Sequence, residues 1–169
     1  TLEAVRHAGV RDATILIGWH GHRIRESFGR GDRFGLTIDY EEQTERLGTA
    51  HAIGQIRSHV DGPFLSINGD VVVSGDALKD LVAYHDKVGG PVMALAEVAD
   101  PRPFGVVELD DGRVTDLEEK PRSPKSHLIN AGIYHFHPQI FDIIRKTEKS
   151  LRGEFEITDS INQLIRKIP

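Results

Sequence analysis

The sequence predicts a three-layer α/β domain with a mixed, mostly parallel sheet that carries an antiparallel hairpin insertion. Strand-like apolar runs alternate with helical patterns over residues 14–98, which is typical of a sheet covered by helices. After Asp100, two strand-like runs flank a glycine-containing turn at residues 110–113. The 169 residues, 38% of them hydrophobic, suffice for one domain with a core.

The elements of the first half follow from apolar periodicity and from glycines that end helices. We expect a helix over 2–9, a strand over 14–17, a helix over 22–28, a strand over 36–40, a helix from Gly48 to about Val60 and a strand over 64–67. Ser74 is expected to cap a helix that ends at Gly89, and a strand follows over 92–98.

The second half is expected to begin with the hairpin strands over 104–109 and 114–119. A strand over 128–136 follows, and Pro138 should occupy the first turn of the next helix. Thr158 is expected to cap a last helix, whose apolar stripe comprises Ile161, Leu164, Ile165 and Ile168.

Composition excludes several classes of protein. A net charge of -5 argues against a main role in binding nucleic acid or anionic membranes. No apolar run approaches the roughly 18 residues of a membrane span. The absence of cysteine excludes disulfides and thiolate metal sites, and it favours the cytoplasm.

Both ends of the sequence suggest a partial domain. Thr1 opens in what resembles the middle of a surface helix, and the last helix ends on an apolar face. We therefore expect residues 1–169 to form one incomplete domain. Its apolar ends would favour association, so a homo-oligomer is possible.

The stretch from Phe64 to Asp70 is the strongest candidate for chemistry. An apolar strand runs into Asn68 and Gly69, which end it and carry Asp70 beyond its carboxyl end. Ligands of open α/β sheets bind at that edge, where a carboxylate can hold a hard cation against a phosphate. Taken alone, the tripeptide is more simply interpreted as an ordinary turn.

Three further clusters lie at strand ends or in the loops that follow. Gln43 precedes Gly48, Thr49 and Ala50, where a helix start would offer free backbone N–H groups and the Gln43 amide could read a nucleobase edge. The other clusters are Gly105 and the group Glu119, Lys120 and Asn130. Taken singly, Gln43 and Gly48 are more simply interpreted as a flexible loop with a capping glycine, and Gly105 as either a β-bulge or a place where a ligand lies on the backbone. A solvated charge pair explains Glu119 and Lys120 equally well.

Histidine pairs at i, i+2 spacing raise the question of a metal site. His20 with His22 and His135 with His137 could each chelate zinc from one face of a strand. No partner stands at a suitable spacing, so we interpret them as surface or half-buried histidines. No nucleophile with a matching base, Gly-x-Gly-x-x-Gly or Walker sequence is present either.

Taken together, these clusters resemble the sugar-1-phosphate nucleotidyltransferases. The motifs occur in that family's order: Tyr40 and Gln43, Leu47-Gly48-Thr49-Ala50, Asn68-Gly69-Asp70, Phe104-Gly105-Val106-Val107-Glu108, Glu119-Lys120-Pro121, Asn130-Ala131-Gly132-Ile133-Tyr134 and Glu156-Ile157-Thr158-Asp159. The chain looks most like the glucose-1-phosphate thymidylyltransferase and N-acetylglucosamine-1-phosphate uridylyltransferase group in its archaeal form. The resemblance implies the Rossmann-like fold of nucleotide-diphospho-sugar transferases.

The resemblance also implies roles for individual residues. Nucleotide binding falls to Gln43, Gly48, Thr49, Asn68 and Gly69, and binding of the sugar phosphate to Gly105, Glu119, Lys120 and Asn130. Asp70 would ligate Mg²⁺ and, with Lys120, act in catalysis. Arg46 stands where many members have proline, which affects the expected conformation of that loop.

The implied reaction transfers a nucleotidyl group from dTTP or UTP to glucose 1-phosphate or N-acetylglucosamine 1-phosphate, and Gln43 suits either base. Family members also have a glycine-rich phosphate loop before this region and a second metal-binding aspartate after it. We therefore expect residues 1–169 alone to be nearly inactive. Two alternatives stay open: a non-catalytic regulatory or assembly domain, and a nucleotide-sugar-dependent glycosyltransferase.

Overall fold

The computed structural model describes residues 1–167, so the predicted stripe residue Ile168 lies outside the described part. Its helices are α1 (Leu2–His7), α2 (Gly21–Phe28), α3 (Thr49–Gln55), α4 (Gly75–Val88), α5 (Ile140–Ile144) and α6 (Ile157–Ile165). Its strands are β1 (Asp12–Ile17), β2 (Thr37–Glu42), β3 (Phe64–Ile67), β4 (Val92–Glu97), β5 (Gly105–Asp110), β6 (Arg113–Glu119) and β7 (Leu128–Phe136).

The strands form one parallel pair and one antiparallel sheet. β1 pairs with β2, whereas β3, β7, β5 and β6 follow one another in the second sheet and β4 joins the other side of β7. The predicted mixed α/β class with its hairpin insertion, here β5 and β6, is confirmed. Within residues 1–167, parallel pairing is confined to β1 and β2, because β7 runs between β3 and β4 in the opposite direction.

Two hydrophobic clusters hold the layers together. One packs α5 and α6 against the second sheet and includes Val107, Leu117, Tyr134, Phe136, Phe141 and Ile161. The other packs α1 and α4 against β2 and β7 and includes Val5, Ile38, Leu78 and Ile133. Burial of these apolar side chains is the main favourable contribution to folding.

The helix ends confirm part of the sequence interpretation and correct part of it. Ser74 Oγ accepts a hydrogen bond from Ala77 N at 3.2 Å, and Gly89 ends α4 in the left-handed region. The helix expected up to Val60 is α-helical only to Gln55 and then tightens into a 3₁₀ turn over Ile56–His59. Pro138 was predicted inside α5 but precedes it by two residues.

The prediction that Thr158 caps the last helix is wrong. Glu156 occupies the cap position, and Thr158 lies inside α6 with its hydroxyl directed to Glu119. Threonine favours caps because its hydroxyl can satisfy a free N–H, but here a distant carboxylate takes that hydroxyl instead. In the described part of the chain, no helix has the length and apolar character needed to cross a membrane.

Candidate active site

The candidate site is centred on a break in the ladder along one side of β7. On that side, β7 pairs with β5 at Ile129 and with β3 from Ile133 onward. Residues 130–132 lie between these two pairings, and Gly132 has a φ of +71°. The break therefore places the start of β5, the end of β3 and the middle of β7 beside one another.

Gly105, Glu119 and Asn130 meet at this break. A Cβ atom built on buried Gly105 would lie 3.1 Å from Glu119 Oε2 and 3.6 Å from Asn130 Cβ. A side chain here would press on the Glu119 carboxylate, which would have to shift by a few tenths of an ångström. The structure thus brings together three of the residues to which the resemblance assigns sugar binding.

The Glu119 carboxylate is held by Thr158, which was expected to be a helix cap, and by Arg152, which the sequence analysis did not single out. Thr158 Oγ1 donates to Oε2 at 2.9 Å, and Arg152 Nη1 lies 3.5 Å from Oε1. Arg152 Nε also lies 3.7 Å from an oxygen of Glu156. Burial and the charge of Glu119 raise the pKa of Glu156, while Arg152 lowers it. Arg152 therefore sits between two carboxylates and reduces their repulsion.

The amide of Asn130 is oriented by two hydrogen bonds. Its Oδ1 accepts from Gly132 N at 2.9 Å, and its Nδ2 donates to the Tyr134 hydroxyl at 2.6 Å. Burial raises the pKa of Tyr134 to about 12, so this hydroxyl stays protonated. The arrangement leaves one Nδ2 hydrogen of Asn130 for a ligand.

Lys120 follows Glu119 in an uncommon backbone conformation. Its φ is +47°, and its N–H donates to Phe104 O at 3.0 Å, which ties the end of β6 to the residue before Gly105. A positive φ in a residue other than glycine is uncommon and is often found at functional positions. The exposed side chain can meet an anion beside Glu119.

Asn68, Gly69 and Asp70 form the opposite side of the break. Asn68 N donates to Gly132 O at 2.9 Å, and a Cβ on Gly132 would lie 2.5 Å from Asn68 Nδ2. Asp70 is exposed in the turn that follows. Residues 1–167 contain no group of three or more His, Cys, Asp or Glu side chains suited to hold a metal. A single carboxylate is nevertheless compatible with Mg²⁺, which keeps several waters and takes its other ligands from phosphates.

Gln43 directly follows β2, whereas Gly48 and Thr49 lie at the start of α3. Gln43 is half-buried, and its N–H donates to Ile17 O at 2.7 Å, the last residue of β1. Gly48 has a φ of +119°, and a Cβ there would lie 2.5 Å from Phe155 O. The Thr49 hydroxyl accepts from Ile157 N at 2.9 Å.

The start of α3 is therefore less open than the sequence suggested. Free N–H groups were expected there, but Ala50 N donates to Phe155 O at 2.9 Å. The expectation is wrong for Ala50 because the segment before α6 packs against this helix start. The nucleotide-binding roles of Gly48 and Thr49 stay predictions, and the Thr49 hydroxyl can still donate.

The histidines form a cluster that sequence spacing did not reveal. The ring of His135 lies 3.7 Å from that of His85 on α4, measured between centroids, and His137 lies 4.9 Å from His85. Burial, together with a smaller effect of the nearby His85, lowers the pKa of His135 to about 4. His20 and His22 are exposed in the loop after β1 and at the start of α2. The one feature of the sequence that could have indicated this cluster is that His85 lies at helical spacing from the apolar residues of α4, which predicts that it faces the sheet.

A family model described as nucleotidyl transferase matches residues 1–168. The chain belongs to this family. It is 42% identical over 168 residues to a glucose-1-phosphate thymidylyltransferase of Streptomyces antibioticus, covering 97% of this chain and 47% of that protein. It is 46% identical over 131 residues to the bifunctional protein GlmU of Methanocaldococcus jannaschii, covering 77% of this chain and 31% of that protein.

The fold likeness extends to solved structures. A candidate glucose-1-phosphate thymidylyltransferase from Bacillus anthracis, crystallised with a sucrose, superposes with a TM-score of 0.88 at 29% identity. The match covers 98% of this chain and 68% of that one. The chain spans about half the length of the thymidylyltransferase from Streptomyces antibioticus and about a third of the length of GlmU. The resemblance to sugar-1-phosphate nucleotidyltransferases is thereby confirmed at the level of the family.

Proposed function

We propose that the protein containing this chain transfers a nucleotidyl group from dTTP or UTP to glucose 1-phosphate or N-acetylglucosamine 1-phosphate. A phosphate oxygen of the sugar phosphate forms a bond to the α-phosphorus of the triphosphate. The bond from that phosphorus to the β-phosphate oxygen breaks, and pyrophosphate leaves. Such a transfer depends on positioning and charge neutralisation, which agrees with the lack of a recognisable nucleophile.

The observation that best supports this proposal is the meeting of Gly105, Glu119 and Asn130 at the break in β7. The carboxylate of Glu119, fixed by Thr158, is suited to accept hydrogen bonds from sugar hydroxyls. The free Nδ2 hydrogen of Asn130 can donate to the same sugar. Lys120 follows directly and would contact the phosphate of the sugar substrate.

The nucleotide would approach from the ends of β1, β2 and β3. The Gln43 amide can pair with the edge of thymine or uracil, and Asn68 and Gly69 would border the phosphates. A Cβ atom built on Gly69 would meet no heavy atom within 4 Å, which leaves room for a bulky phosphate. The choice of base and sugar, like the cytoplasmic location and a homo-oligomeric state, stays a prediction.

Asp70 is the residue that would hold Mg²⁺. When bound, the ion would neutralise negative charge on the phosphates of both reactants. The remaining contribution of the chain is to bind and orient the two substrates. That residues 1–169 alone are nearly inactive is also a prediction.

The test is pyrophosphate release by the complete product of the gene, with a panel of triphosphates and sugar phosphates. Asp70→Ala should lower the rate at least about 100-fold, since a metal ion stabilises transition-state charge by several kcal/mol. Asp61→Ala is the matched control because Asp61 is also exposed but precedes the opposite end of β3. Full activity of Asp70→Ala would refute the assignment.

A non-catalytic regulatory domain is the remaining alternative. It predicts that triphosphates bind without pyrophosphate release in any combination of substrates. Glycosyl transfer would instead release a nucleoside diphosphate from a nucleotide sugar, and the family match argues against it.

A further inference from the structure

The loop after β1 exposes the only tryptophan of the chain. Trp19 follows Gly18 and retains 78% of its accessible surface. Tryptophan is usually largely buried, and exposed tryptophans are enriched at binding surfaces. None of the predicted substrate contacts uses this residue.

This loop is attached to the loop that carries Gln43. The bond from Gln43 N to Ile17 O, 2.7 Å long, joins the ends of β2 and β1 two residues before Trp19. A Cβ built on Gly18 would lie 3.8 Å from Gln43 O and 3.9 Å from a guanidinium nitrogen of Arg46. Trp19 therefore directly follows a glycine that lies beside the backbone of Gln43, to which base recognition is assigned, and beside the cation of Arg46.

The backbone beside Trp19 adopts an uncommon conformation. His20 has a φ of +60°, and a Cβ on the following Gly21 would lie 2.8 Å from Ile17 Cδ1. The His20 ring packs on Trp19 with centroids 3.9 Å apart. A non-glycine residue with positive φ is kept only where its surroundings enforce it, and such positions cluster at ligand sites. The local fold thus supports an exposed aromatic surface.

We propose that Trp19 stacks on the base of the nucleoside triphosphate that Gln43 reads, with Arg46 adding positive charge beside it. The inference rests on the proposed function, because it names a further contact for the same nucleotide. Aromatic stacking recognises the flat face of any base, whereas the Gln43 amide recognises its edge. The pair would hold a pyrimidine by its face and its edge.

The single tryptophan permits a direct test with this chain. We would titrate it with dTTP and UTP in the presence of Mg²⁺, following both tryptophan emission and calorimetric heat. Tripolyphosphate, which carries the charges but no base, is the control ligand. Both triphosphates should change the emission, and tripolyphosphate should not.

Variants separate stacking from other effects. Trp19→Ala should weaken triphosphate binding roughly 10-fold, as expected for the loss of one stacked base, and Trp19→Phe should retain most of the affinity. Tyr84→Ala, which removes a half-exposed aromatic from α4, is the matched control and should bind normally.

The outcomes distinguish this inference from the proposed function. Calorimetric binding of a triphosphate with unchanged emission would overturn the role of Trp19 and leave the function standing. An equal response to tripolyphosphate, or emission that depends only on protein concentration, would also overturn stacking, in favour of charge sensing or self-association. Absence of any triphosphate binding by this chain would overturn this inference, whereas the proposed function is decided by pyrophosphate release from the complete product of the gene.

Discussion

Replacing Gly48 by alanine tests whether the start of α3 is fixed by the segment before α6. Gly48 has φ +119°, a conformation that costs a non-glycine residue of the order of 1–3 kcal/mol. Its Cβ would also lie 2.5 to 2.9 Å from the backbone of Phe155. Relieving that overlap would disturb two hydrogen bonds, Ala50 N to Phe155 O and Phe155 N to Leu47 O. At about 1 kcal/mol each, these bring the expected loss of stability to about 3–5 kcal/mol.

Gly9 provides the matched control. Its φ is +93°, and a Cβ there would meet nothing within 4 Å. Gly9→Ala should therefore lose only the conformational contribution, about 1–3 kcal/mol. Urea denaturation of both variants, with unchanged m-values, would give the difference of about 2 kcal/mol that we assign to the contact with Phe155. Equal losses in the two variants would refute this reasoning.

Two further predictions concern stability. Burial lowers the pKa of His135 from 6.5 to about 4, so folding favours the neutral imidazole. The contribution of His135 to the free energy of unfolding is therefore complete above pH 6.5 and is lost as the pH falls toward 4. Over that pH range, the free energy of unfolding should fall about 1–2 kcal/mol more in the wild type than in His135→Phe, a figure that allows for partial hydration of the ring. Parallel pH profiles of the two proteins would contradict this prediction. Asn162 Oδ1 accepts a hydrogen bond from Leu117 N at 3.1 Å, and Asn162 Nδ2 donates to Leu117 O at 2.6 Å. Asn162→Leu should therefore lower the free energy of unfolding, measured by urea denaturation, by about 2–4 kcal/mol. A loss below about 1 kcal/mol would show that these bonds are dispensable.

The sequence predicted elements whose signals are local. Ser74 and Gly89 mark the ends of α4 through capping and left-handed backbone conformation, and the structure confirms both. Pairing between strands is not a local property. The position of β7 between β3 and β4 depends on contacts between residues far apart in the chain, for which alternation of apolar residues carries no information.

The candidate site likewise combines residues that sequence motifs predict with contacts that only the folded chain shows. Gly105, Glu119 and Asn130 could be named from their motifs, but only the folded chain shows that Gly105 lies directly against the carboxylate of Glu119. Thr158 was misassigned as a cap because its partner is 39 residues away. The left-handed conformation of Lys120 had no sequence signal, since glycine and asparagine are the residues that usually indicate it.

One segment connects the two halves of the candidate site. Phe155 and Ile157 exchange backbone and hydroxyl hydrogen bonds with the start of α3, where nucleotide binding is predicted. Arg152 and Thr158, in the same segment, hold the carboxylate of Glu119, where sugar binding is predicted. A displacement of this segment would therefore alter both substrate regions at once. Residues 152–158 thus contact both regions, and the proposed in-line transfer would require that this segment keep the two bound substrates at a constant distance.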